Sequence, residues 1–230
     1  MNTSRTGVTP IFNETQSLVD RVTGVVRQSI IDGRLSPGET VSISDLATDL
    51  GVSHSPVREA LQRLSGQGLV ELRPARTAIV APLSLDDLED IYRLCKLNEV
   101  DAAARACPDL TDDDFTELEQ QLEVIAATTL DSEEFWRAHD AFHLALLRPV
   151  ASNRLERLVT QLWEARTRYV RVDIAAGSNP VFQAAGERHR ELLEIARKGD
   201  GDAMGAALLD HLEVNERLLS SSLARTLQAN

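Results

Sequence analysis

The sequence predicts a mainly α protein in which a winged helix-turn-helix is followed by an all-helical antiparallel bundle. Three observations carry this. Apolar residues recur at helical spacing through most of the 230 residues. A four-residue turn with Gly51 joins two short helical segments, and two strand-like runs follow. After Ser84 no strand-like alternation is left.

The elements follow in order. Residues 1–12 are polar and read as a flexible arm, without the apolar core of a secretory signal. From Glu14 to Arg34, Leu18, Val22, Val25, Val26 and Ile30 mark one helix, stopped by Gly33 and Ser36-Pro37-Gly38. Ser42 opens a second helix with Leu46, Ala47 and Leu50 on one face. Ser53 is a natural N-cap for a third, which carries Val57, Ala60, Leu61 and Leu64 inward and ends at Gly68. Leu69–Leu72 and Ala78–Val80 read as strands around Pro74-Ala75-Arg76-Thr77. Residues 13–82 are thus expected to form a winged helix-turn-helix domain, and residues 83–230 a helical domain. The latter has six segments, at about 84–107, 111–128, 131–148, 152–176, 180–198 and 200–225, punctuated by Pro108, Pro149, Asn153, Pro180 and Gly199-Asp200.

Charge refines this division. The net charge of −12 argues at first against a nucleic-acid partner, but residues 1–82 hold eight arginines and eight acids. The whole surplus lies after residue 82, where screening over about 8 Å shields DNA from it. The two cysteines, Cys95 and Cys107, have no metal-type spacing and fit free thiols in a reducing cytoplasm. No apolar run reaches the roughly 18–20 residues of a membrane span.

The stretch Pro37-Gly-Glu…Leu46-Ala47…Gly51-Val-Ser…Pro56-Val-Arg-Glu-Ala-Leu61…Gly68-Leu-Val70 resembles the DNA-binding domain of the GntR family of bacterial regulators. A recognition helix that begins at Ser53 presents its polar N-terminal side chains to base edges. The resemblance places DNA reading on Ser53, His54, Ser55 and Arg58, with wing contacts from Arg73 and Arg76. Arg58 suits a bidentate guanine contact, and the serines suit phosphate oxygens. Relatives carry Arg where His54 stands and Gly where Thr77 stands.

Four of the five histidines lie in the second half. His139 and His143 are four apart on one helix and share a face about 6 Å apart. His189 and His211 flank the Gly199-Asp200 turn at similar distances, so antiparallel helices set them side by side. Helix bundles build metal sites from such inward residues, and imidazole suits zinc, nickel, iron or copper. Phe142-His143, Glu187-Arg-His189 and Gly199-Asp200…His211-Leu212 resemble the FCD effector domain of the FadR-type branch. That resemblance implies a divalent metal, zinc or nickel first, held by an Asp and three His; here His139 replaces the Asp. Asp140 is expected to point about 100° away. Cys95 stands four residues before Glu99, where relatives carry an Arg.

The resulting expectation is a cytoplasmic, homodimeric transcriptional repressor and no enzyme. An organic acid at the metal, near Cys95, Glu99, Arg166, Tyr169 and Arg188, would set its affinity for an operator. Trp136 and Trp163 are expected in the core. A metal-responsive sensor is the alternative, and a metalloenzyme lacks support because no HExxH, nucleophile triad or phosphate loop is present.

Overall fold

A computed structural model describes residues 17–129, 132–175 and 185–229. The arm at 1–12 lies outside these residues, as do the expected helix starts at Glu14, 131 and 180. The chain forms two compact units, one within Met1–Gln28 and Thr40–Ile79, the other within Ser29–Glu39 and Val80–Asn230.

The first unit holds most of helix α1 (Leu18–Ile31), then β1 (Thr40–Ser42), α2 (Ile43–Asp49), α3 (His54–Ser65), β2 (Val70–Arg73) and β3 (Thr77–Val80). Its sheet has the order β1-β3-β2, with Val41 opposite Ala78 in an antiparallel pair. β1 escaped the sequence reading because three residues are too few to show alternation. Ser42 ends that strand and caps α2, accepting hydrogen bonds from the backbone N–H of Ser44 and Asp45. Ser53 sits at the N-cap of α3 in extended backbone, yet its side chain makes no capping bond. α3 stops at Ser65, with Gly66 as its C-cap, three residues before the expected Gly68. Val57, Ala60, Leu61 and Leu64 are fully buried, while Leu18 and Val25 stay exposed, so the buried stripe of α1 is narrower than its apolar spacing suggested.

At the wing tip the left-handed positions are Ala75 (φ 63°) and Arg76 (φ 61°), while Thr77 already belongs to β3. Positive φ at both central residues of the Pro74–Thr77 turn matches the right-handed twist of the flanking strands. The wing therefore pays a cost of about 1–2 kcal/mol at each non-glycine site.

The second unit contains α4 (Leu85–Cys95), a π-helical turn (Lys96–Val100), α5 (Asp101–Ala106), α6 (Asp112–Ala127), α7 (Glu133–Leu147), α8 (Asn153–Ala175), α9 (Ala185–Ala196) and α10 (Gly201–Ala229). Thr111 and Asp114 form a capping box at the start of α6. Gly199 (φ 67°) closes α9 and the Asp200 carboxylate caps α10, so the chain reverses there. One apolar core joins these helices, with Trp163, Tyr92, Phe142, Leu118 and Leu146 among its largest buried side chains.

α10 approaches α5 closely at Gly201, where an added Cβ would lie 2.3 Å from the Ala104 carbonyl oxygen. Gly201→Ala is therefore expected to lower stability by about 1–3 kcal/mol, although alanine favours helix by about 1 kcal/mol. Thermal denaturation should show a drop of several degrees, and a rise would contradict the close approach.

Candidate functional site

In the second unit, α7, α9 and α10 converge on a histidine cluster. His139 and His143 sit one turn apart on α7, with ring centroids 4.7 Å apart. His189 comes from α9, with ring centroids 5.0 Å from His139 and 5.2 Å from His143. His211 on α10 packs 5.0 Å from His189 and 5.4 Å from His143. All four are at most 6% exposed. The apolar neighbours that bury them also make this cluster: Phe142 packs edge-on against His143 and His189, and Trp163 lies against His143.

Burial disfavours the charged form of three of these rings. Desolvation lowers the pKa of His143 and His211 well below the ordinary value, and neighbouring imidazoles and Arg166 add to it. His139 is lowered by burial and by Arg166, against the opposing pull of Asp140. Neutral imidazole is the metal-binding form.

The donor set fits a divalent ion. Nitrogens of His139, His143 and His189 lie within 4.8 Å of one another. His143 Nε2 and His189 Nε2 are 3.2 Å apart, and bonds of 2.0–2.1 Å to one ion put adjacent nitrogens about 3 Å apart. Asp140 does not join the donors, yet it is not idle: its Oδ1 lies 3.3 Å from His139 Nδ1. That carboxylate fixes the tautomer and leaves Nε2 with the lone pair.

His211 stands slightly apart from the other three. Arg188 donates to Asn215 Oδ1 at 3.0 Å, which turns the amide so that Nδ2 points at His211 Nε2, 3.2 Å away. His211 Nδ1 is buried without a hydrogen-bond partner among the described residues. Asn215 was missed at the sequence level, though its position four residues after His211 puts both on one face of the helix.

Of the candidate effector residues, the structure groups some and separates others. Cys95, Glu99 and Arg166 are buried together: desolvation raises the Cys95 thiol, Glu99 raises it further, and Arg166 opposes both. Glu99 too is raised by burial, partly offset by Arg166, by Trp163 and by the nearby thiol. Trp163 Nε1 donates to Glu99 Oε1 at 2.9 Å, a role beyond the core filling expected of it. Tyr169 is engaged elsewhere, donating to Asp87 Oδ2 at 2.5 Å and accepting from the Ser84 N–H at 3.4 Å. Arg188 acts on Asn215 and also lines a groove of about 260 Å³ with Glu191, Asp210 and His211.

In the first unit Ser53, His54, Ser55 and Arg58 are exposed on the N-terminal half of α3, and Arg73 and Arg76 are exposed on the wing. His54 Nε2 lies 3.5 Å from Ser44 Oγ, and Ser55 donates weakly to Glu59. Arg73 pairs with Glu71 at 2.5 Å, an exposed contact of little energetic weight.

Comparison with known proteins agrees with both units. Residues 18–80 match the bacterial regulatory proteins of the gntR family, and residues 90–214 match the FCD domain. The HTH-type transcriptional repressor RspR of Escherichia coli is 27% identical over 207 residues, covering 88% of this chain and 89% of the relative. The HTH-type transcriptional regulator LutR of Bacillus subtilis is 29% identical over 218 residues, covering 86% and 100%. Among solved structures, E. coli McbR/YncC superposes with a TM-score of 0.78 at 25% identity, over 91% of this chain and 100% of the other. A GntR regulator from Rhodococcus gives 0.74, also at 25%, over 87% and 96%. No helix among the described residues is long and apolar enough to cross a membrane. These similarities are to regulators and not to enzymes, and the chain belongs to the GntR family as a DNA-binding transcriptional regulator with a C-terminal FCD effector-binding domain.

Proposed function

We propose that this regulator is a homodimeric repressor whose operator affinity is set by a small organic acid bound at a divalent metal in the FCD domain. The observation that carries this is the convergence of four buried histidines from three helices. Nothing in core packing requires that cost, since burying polar rings is unfavourable unless they are used. His139, His143 and His189 would hold the ion, zinc or nickel by donor type, and His211 stands by as a fourth donor. When bound, the ion supplies Lewis acidity for an oxygen-bearing ligand.

The chain's own residues do the rest. Arg166 offers positive charge beside the cluster, Asp140 orients His139, and the Arg188–Asn215 pair holds His211. The acid need couple to operator binding by only about 1–3 kcal/mol to be useful. On the DNA side, Ser53, His54, Ser55 and Arg58 face the major groove, with Arg73 and Arg76 on the wing.

The all-imidazole donor set also suits a sensor in which the metal itself is the signal. Operator binding, followed by fluorescence anisotropy on metal-buffered protein, separates the two. The effector reading predicts affinity constant across free metal near the loaded state, and a 5- to 150-fold shift on adding the acid. Affinity that tracks free metal without any acid would replace it with the sensor.

A further inference from the structure

Glu99 and Arg166 present an arrangement that a simple acid does not complete. Glu99 lies in the π-helical turn Lys96–Val100 and is 1% exposed. Its Oε1 is held by Trp163, and its buried Oε2 meets no nitrogen or oxygen donor among the described residues, with only the weakly donating Cys95 thiol beside the carboxylate. Arg166 sits three residues beyond Trp163 on α8 and is 4% exposed. Among the described residues its guanidinium makes no hydrogen bond and no ion pair within 4 Å. Burying either charge alone costs several kcal/mol.

The least costly remedy would be a direct pair between them. Trp163 touches Glu99, and Arg166 lies one turn further along the same face of α8, yet the carboxylate and the guanidinium do not pair. Trp163 and the π turn fix the carboxylate, and π turns inside α-helices are frequent at functional sites. Arg166 also acts on His139, His143 and His211, which sets its charge beside the histidine cluster.

We propose that Glu99 and Arg166 form a two-ended receptor for a zwitterion, so that the effector is a small amino acid whose carboxylate meets Arg166 and whose ammonium meets Glu99. This rests on the effector reading above and narrows its ligand class. A guanidinium takes a carboxylate through two parallel N–H···O bonds. An ammonium donates to the free Oε2 and neutralises the buried carboxylate. A 2-oxo acid or unsubstituted acid satisfies only Arg166 and sets its own negative charge near Glu99. A 2-hydroxy acid can reach Oε2 with a hydrogen bond but brings no compensating charge. Sites built around a buried polar partner reject analogues that lack it by large factors.

The test uses the metal-loaded full chain and calorimetry with matched skeletons. These are alanine, lactate, pyruvate and propionate; aspartate, malate, oxaloacetate and succinate; and glutamate, 2-hydroxyglutarate, 2-oxoglutarate and glutarate. A thermal-shift scan of the remaining L-amino acids, each against its 2-hydroxy counterpart, completes the series. At least one amino acid is expected to bind about 100-fold more tightly than its hydroxy and oxo counterparts. Glu99→Gln should erase that preference while leaving carboxylate binding, and Arg166→Gln should weaken every ligand. If a hydroxy, oxo or unsubstituted acid binds as tightly as its amino acid, the zwitterion proposal falls and the organic-acid reading stands. If no acid of any kind binds, both fall. The unmutated series decides the matter even where a variant fails to fold.

Discussion

Replacing His143 and His189 together with alanine abolishes stoichiometric binding of a divalent metal and leaves specific DNA binding by the unliganded protein intact. The two Nε2 atoms are 3.2 Å apart on different helices, and with His139 they form the donor group among the described residues. Losing an outer-shell partner alone costs about 10- to 100-fold in affinity, so loss of two direct donors should exceed 100-fold. Elemental analysis and zinc titration read this directly. Metal content that survives the double change would show that the cluster is not the site.

Stability carries an independent signature. A metal that binds only the folded chain stabilises it by about 2.7 kcal/mol at 100 times its Kd. Zinc should therefore raise the melting temperature of the wild type and not of the variant. The metal-free wild type should also respond to acid. The folded pKa values of His139, His143 and His211 are depressed, so below about pH 6.5 the unfolded chain binds more protons than the folded one. Stability is present above that pH and is lost as pH falls toward the folded values. Each such imidazole contributes at most about 1.4 kcal/mol per pH unit. The variant, lacking His143, should lose stability less steeply on acidification.

What could be read in the sequence follows from range. The helices, the helix start at Ser42, and the facing histidines depend on spacing within one helix or across one tight turn, which residue patterns record. The pairing of His139 with His143 needed only a four-residue interval, and that of His189 with His211 only the symmetry of the Gly199-Asp200 turn. Three other features depend on contacts or backbone details that leave no period. Trp163 reaching Glu99 spans 64 residues, and a tryptophan in an apolar stripe looks the same with or without a carboxylate beneath it. The π turn adds a residue without altering any pattern long enough to measure. Asp140 was set aside on a rotation of 100°, which is right for coordination but ignores that an adjacent carboxylate can still bond Nδ1.

Arg58→Ala is expected to reduce specific operator affinity by about 5- to 150-fold for each half-site, which corresponds to about 1–3 kcal/mol for one bidentate guanine contact. The reason lies in the build of α3. Val57, Ala60, Leu61 and Leu64 fix its rotation by complete burial, which leaves Arg58 on an exposed flank in the N-terminal half. Among the described residues no acid pairs with it, whereas Arg63 is tied to Asp20 and Arg73 to Glu71. The winged domain is electrically neutral, with eight arginines against eight acids through residue 82. Bulk attraction therefore contributes little, and a few oriented contacts must carry recognition. Anisotropy with an operator selected from random DNA by the wild type, beside a scrambled duplex, tests this at several salt concentrations. The loss for Arg58→Ala should be confined to the selected sequence and change little with salt, while Arg76→Ala should weaken both duplexes and lower the salt slope by about one. If Arg58→Ala weakens both duplexes equally, Arg58 contacts phosphate, and base reading shifts to His54 at the start of the same helix.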